Sequence, residues 1–153
     1  MPEKTGRARA AALKLFFFAL ILFADQSLKA WVIGRFQLDQ SQPIIRNVLH
    51  LTLVHNTGTA FGLFQDRNLF FVVLSAVVIA GLAVLLFKEE KKTNSVFSWA
   101  PLVLLLGGAV GNLIDRLRFG YVIDFIDFRF WPVFNVADSC ITVGIVWLLL
   151  TSI

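Results

Sequence analysis

The chain has 153 residues, 58% of them hydrophobic and 16% charged, whereas a soluble domain averages about 45–50% apolar and about 25% charged. That balance argues against a soluble protein and for one membrane domain over residues 1–153. The net charge of +4 does not imply nucleic acid, because the basic residues cluster at the N-terminus and in one short loop, where they act as topology signals.

The first apolar segment, 13–33, is interrupted by Asp25 and Lys29. Lys4, Arg7, Arg9 and Lys14 at its front resemble a signal peptide. It lacks a clear small-residue cleavage site and carries an acid and a lysine where that segment is normally apolar, so it reads as a retained helix. Lys29 follows Asp25 by one helical turn on the same face, which an internal ion pair or snorkelling near the interface explains without any chemistry.

The loop 34–68 is long for a helix connection. Asp39 to Pro43 reads as a turn. Leu49, Leu51 and Leu53 alternate with His50 and Thr52, which predicts a strand in a small β element on the outer membrane surface. His50 and His55, five apart on a straight strand, point to opposite faces, and no third ligand stands nearby. They read as surface or capping histidines. With one cysteine, Cys140, there is neither an internal disulfide framework nor a cysteine-based metal site, and no metal or cofactor is expected.

The second segment, 69–87, is nearly pure hydrocarbon, and Lys88 to Ser95 is a solvated turn. The third, 99–117, ends on Asn112, Asp115 and Arg116, and the fourth, 133–153, starts with Asn135 and Asp138. Each approaches the roughly 20 residues of a spanning helix. The predicted fold is therefore an all-α membrane protein of four transmembrane helices, with a small extracytoplasmic β element and a loop over the site. Gly107 and Gly111 form a small-xxx-small pair that lets helices pack closely. Room for a substrate chain is compatible with that reading. Lys88, Lys91 and Lys92, with the basic N-terminus, place that loop and both chain ends in the cytoplasm. Every unusual polar residue from Asp25 to Asp138 then lies towards the outer face, and that shared depth marks a site.

Asp124 sits in Val122-Ile123-Asp124-Phe125-Ile126, leading back toward the membrane. Asp138 lies in the first turns of the last helix, and Trp131-Pro132 marks a bend between them. A hairpin-like return would bring the two together, although spacing alone does not establish it. Two carboxylates in a poorly hydrated pocket share one proton, so that one acts as base on a water and the other as acid on a scissile carbonyl. Asp127 competes: on a helix it shares the face of Asp124, on a strand it faces away. Beside Arg129 it reads as an exposed acid paired with that arginine. Asp115 and Arg116 are adjacent, so they point apart. Arg116 suits a bridge between loops or a lipid headgroup. Cys140 has no evident base. The rival class is a small proton-coupled transporter or channel subunit. Against it, the acids gather at one depth and form no relay across the membrane.

The sequence resembles the lipoprotein signal peptidase family, signal peptidase II, over essentially its whole length. The motifs that carry the resemblance are Asp25-Gln26 with Lys29; Asn56 to Phe61; Gly107 to Asn112; Asp115-Arg116; Gly120 to Phe125; and Phe134 to Ser139. Thr59 stands where an alanine is expected. The resemblance implies a bacterial inner-membrane aspartic endopeptidase that removes signal peptides from prolipoproteins, cutting before a diacylglyceryl-modified cysteine. It implies Asp124 and Asp138 as the catalytic pair, and Asp25, Lys29, Asn56, Asn112, Arg116, Asn135 and Ala137 as substrate-binding or supporting residues. It also implies membrane lipid as a partner and cyclic peptides of the globomycin type as inhibitors.

Overall fold

The computed structural model describes residues 2–58, 68–92 and 95–151. In chain order these form α1 (Pro2–Ile33), β1 (Ser41–Ile45), β2 (Leu49–Asn56), α2 (Asn68–Lys92), α3 (Val96–Phe119), β3 (Val122–Asp127) and α4 (Val136–Thr151). The last part of the long loop, 59–67, lies outside the described residues, and with it the Thr59–Phe61 part of the second motif and that part of the expected lid.

Helix α3 is the hub and packs against α1, α2 and α4. Three helical stretches, Ala8–Ile33, Asn68–Glu89 and Val96–Phe119, are long and apolar enough to cross a membrane. Helix α4 is apolar but has 16 residues. Polarity is turned inside out. Leu15, Phe23, Leu69, Val77, Phe97 and Leu150 are exposed, whereas Asp25, Lys29, Asn112, Asp115 and Asn135 are buried. Such a surface is at ease against lipid, and its ionisable groups face the bundle interior as they do in membrane proteins.

The last segment begins at Val136 rather than at residue 133, for a local reason. Asn135 Oδ1 accepts the amide of Asp138 at 2.8 Å, and Asp138 Oδ2 accepts the amide of Asn135 at 3.3 Å. This is a reciprocal capping box, which sets the first turn of a helix. The residue before it, Phe134, is held instead by an antiparallel bridge to Ile126.

At the same end of the bundle lies a three-stranded antiparallel sheet in the order β1-β2-β3. The predicted strand around Leu51 is β2. The predicted turn is shorter than expected: Asp39 takes positive φ (61°), but Ser41 to Pro43 already belong to β1, an edge strand where a proline lacking an N–H is tolerated. Helix α3 ends on Gly120 in the left-handed region (φ 85°), its amide bonded to Arg116 O, as a glycine stop requires. That stop turns the chain directly into β3, which pairs with β2 so that Val54 stands opposite Asp124. Val32, Leu53, Ile123 and Phe125 form a small core that fastens the sheet to the end of α1.

Candidate active site

Two helix faces build the floor of the site. On α1, Asp25 and Lys29 are one turn apart. On α3, Gly108, Gly111, Asn112 and Asp115 recur at the spacing of a single face. Lys29 Nζ lies 2.9 Å from Asp25 Oδ2 and 2.7 Å from Asp115 Oδ2, and it donates to Asn112 Oδ1 at 3.1 Å. Gln26 Nε2 adds donors to Asp115 Oδ1 at 3.0 Å and Asp25 Oδ2 at 3.1 Å. The lysine and both acids are buried, with at most 1% of their surface exposed. One ammonium between two carboxylates leaves a net negative charge, so the amide donors are needed to complete the site.

Both acids also reach backbone. Asp115 Oδ2 accepts the amide of Ile123 at 3.1 Å, and Asp25 Oδ1 accepts the amide of Ala137 at 2.9 Å. Ile123 directly precedes Asp124, and Ala137 directly precedes Asp138. A single lysine-centred cluster thus pins the chain beside each of the two carboxylates. Gly111 makes room for it, since a Cβ there would stand 2.8 Å from Asp25 Oδ2 and 3.3 Å from Ala137 Cβ. A Cβ on Gly108 would collide with Ala137 O. Gly108, together with Gly111 of the packing pair that the sequence predicts, therefore sets the distance between α3 and the start of α4.

Amide side chains orient the carboxylates themselves. Asn135 Nδ2 donates to Asp124 Oδ1 at 2.6 Å, and Asn56 Nδ2 donates to Asp124 Oδ2 at 2.8 Å. Asn112 Nδ2 donates to Asp138 Oδ1 at 2.7 Å. The Asn112 amide is itself oriented, because its Oδ1 accepts from Lys29 and from Asn135. Asn135 spans the pair, with its Nδ2 on Asp124 and its capping box on Asp138. Asp124 is 1% exposed. Burial, and after it the nearby charge of Asp138, push its carboxyl up to about 7 against the opposing pull of Asn56, Asn135 and Lys29.

Arg116 has no carboxylate within ion-pair distance among the described residues. Its guanidinium lies 5.2 Å from the Phe71 ring centroid and 3.5 Å from Gly58 O, within electrostatic reach of Asp138 and Asp124. Asp127 faces the other side of β3 from Asp124. It is buried rather than exposed as expected, because Thr52 Oγ1 donates to it at 2.8 Å and Arg129 donates through its backbone and its side chain. Burial alone would raise its pKa, but these hydrogen bonds outweigh it and hold the carboxyl below the ordinary value. His50 meets Ser41 Oγ at 3.1 Å and His55 stacks on Tyr121 at 3.9 Å. Among the described residues no group of three His, Cys, Asp or Glu could hold a metal. Gln26 and Asp115 belong to the site's geometry, although neither is among the supporting residues that the resemblance implies. The signal for Asp115 was present: it continues the Gly108, Gly111, Asn112 face.

Fold and site together define a membrane protein with two amide-held carboxylates and a buried lysine at one end of its helical bundle. Comparison with known proteins makes this specific. The family profile described as signal peptidase (SPase) II matches residues 17–153. The lipoprotein signal peptidase of Halothermothrix orenii is 44% identical over 131 residues, covering 86% of this chain and 88% of that protein. That of Streptococcus pyogenes serotype M1 is 40% identical over 141 residues, covering 90% and 91%. A bacterial membrane enzyme solved by the in meso method at 2.3 Å resolution superposes with a TM-score of 0.84 at 27% identity, covering 92% of this chain and 87% of that one. The chain belongs to the signal peptidase II family. It is a protease and a bacterial membrane protein, and the transporter alternative is set aside.

Proposed function

We propose that this chain removes signal peptides from diacylglyceryl-modified prolipoproteins, cutting before the lipidated cysteine, with Asp124 and Asp138 as its catalytic dyad. The observation that carries the reading is Asn135, whose amide and capping box hold both carboxyls at once. The dyad shares one proton. The ionised member draws a proton from a water, which attacks the scissile carbonyl, while the protonated member gives its proton to the carbonyl oxygen. In the collapse of the tetrahedral species the leaving amine takes a proton from the dyad, and the peptide bond breaks. No cofactor is needed. Asn56, Asn112 and Asn135 orient the acids without adding charge. Asp25 and Lys29 hold the backbone beneath them, and Ala137 keeps α4 close to α3. Arg116 is left to meet substrate or a lipid headgroup. Cyclic peptides of the globomycin type would inhibit by occupying the same dyad.

A lipidated substrate leaves the bilayer only at a cost of about 0.8 kcal/mol per buried methylene, so the enzyme brings its acids to the interface. In this reading residues 1–153 form one domain that crosses the bacterial inner membrane four times. Helix α4 is the fourth span, both termini are cytoplasmic, and the sheet and the 34–68 loop lie over the site at the outer face. Reporter fusions at residues 40 and 92 are expected on opposite sides of the membrane. Signals from the same side would overturn this topology.

The direct test is incubation of the detergent-purified protein with a diacylglyceryl-modified precursor peptide, for which a single cut before the modified cysteine is expected. The pH dependence follows from Asp124. Its carboxyl holds a proton up to about 7, and the dyad needs that proton. The rate should therefore fall as pH rises through about 7. Asn56 stabilises the ionised form, so Asn56→Ala should move this alkaline limb to higher pH. A rate that stays flat across the neutral range would rule out the shared-proton mechanism.

A further inference from the structure

The far end of the bundle holds two buried donors without acceptors. Among the described residues, Lys14 Nζ and Trp99 Nε1 are both shielded from solvent and have no hydrogen-bond partner. Trp99 is 2% exposed. A buried donor left unpaired is costly, and a charged one more so. The pairing of α1 with α3 sets the two at one level of the bundle. These helices run parallel, and Ile21 meets Gly107, Asp25 meets Gly111 and Lys29 meets Asp115, advancing four residues per step on both. Continued towards the N-termini, the same ladder sets Leu13 level with Trp99, so that Lys14 stands beside the first turn of α3. The Phe17 and Trp99 rings, 6.3 Å apart, mark that contact.

A third feature converges there. Ser95, the N-cap of α3, gives its side chain to no first-turn amide, so the positive end of the helix dipole is open at the level of the two donors. An ammonium, an indole N–H and a helix N-terminus all call for an oxyanion. A separate groove at this end, between α2, α3 and α4, is lined by Glu89, Phe97 and Leu148. Its acid repels an anion, which leaves the α1 side. From Lys29 to Lys14 is about 22 Å along a helix, against a hydrocarbon core of about 30 Å. Lys14 therefore lies near the headgroups of the leaflet opposite the dyad, a level that tryptophan favours.

We infer that Lys14 and Trp99 bind the phosphate of a phospholipid in that leaflet. The inference rests on the membrane-spanning reading of the bundle and is independent of the catalytic one. The bound lipid fastens α1 to α3 at the end remote from the Lys29 cluster.

Native mass spectrometry in a neutral detergent, with titration by phosphatidylglycerol, tests it. Lys14→Met keeps the stem and removes the charge, and should weaken binding of the first lipid about 10- to 100-fold. Trp99→Phe keeps a ring and removes only the N–H, and should weaken it about 2- to 10-fold. Lys14→Arg should bind as wild type does. Diacylglycerol with the same chains but no phosphate should bind far more weakly. Wild-type affinity in both Lys14→Met and Trp99→Phe would overturn the site, as would equal binding of diacylglycerol. Inorganic phosphate that saturates the site at the same concentrations as the lipid would overturn its assignment to a lipid. If Lys14→Met does not fold, Trp99→Phe decides. Precursor cleavage measured on the same samples reads the catalytic proposal separately, so failure of either is seen without the other.

Discussion

Asp124→Asn and Asp138→Asn should each lower the rate of precursor cleavage by about 10²–10⁴, towards the upper end of that range, while Asp127→Asn stays within a few-fold of wild type. The substitution is nearly isosteric, so it removes ionisation and spares shape. In the proposed mechanism the two carboxyls act on one water and one carbonyl through one shared proton, so the double variant should be little worse than either single one. Asp127 is the control that the fold supplies. It sits three residues along the same strand, buried as Asp124 is. It faces the opposite side, however, and its hydrogen bonds to Thr52 and Arg129 hold it as a structural anion. The measurement is initial rate at matched expression and detergent concentration. An active Asp124→Asn alongside an inactive Asp127→Asn would overturn the assignment of the chemistry to Asp124.

Lys29→Met should destabilise the protein by about 3–5 kcal/mol, the usual result when one partner of a buried ion pair is removed. Here two carboxylates, Asp25 and Asp115, lose their shared countercharge, and Asn112 loses the donor that orients it. Cleavage should fall as well, because the backbone amides beside Asp124 and Asp138 hang on those two acids. Lys29→Met combined with Asp115→Asn should recover part of the stability, since one of the stranded charges is then gone, but it should not recover full activity. Thermal unfolding in detergent, read beside the cleavage rate, checks both claims. An unchanged midpoint for Lys29→Met would show that the cluster carries no net stability.

Much of this protein was legible in its sequence because lipid imposes simple rules. Long apolar runs announce helices, and the depth shared by Asp25, Asn112, Asp115, Asn135 and Asp138 announced a site before any contact was known. The start of α4 was also written locally. Asn135-Val136-Ala137-Asp138 is a capping-box pattern, and taking it as such would have placed the helix start at 136 instead of 133. The burial of Asp127 was not legible. It depends on Thr52, a residue distant in sequence that only strand pairing brings alongside. The same holds for the centre of the site. Sequence spacing put Lys29 on the face of Asp25, but only the close packing of α1, α3 and α4 over Gly108 and Gly111 made that lysine the common support of Asp115, Asn112 and, through two backbone amides, both members of the candidate dyad. Residue types and helical periodicity are properties of the local chain, and the sequence by itself determined them. Which buried charge meets which was decided by the tertiary structure, because in a low-dielectric interior each charge must find its partner wherever the packing places it.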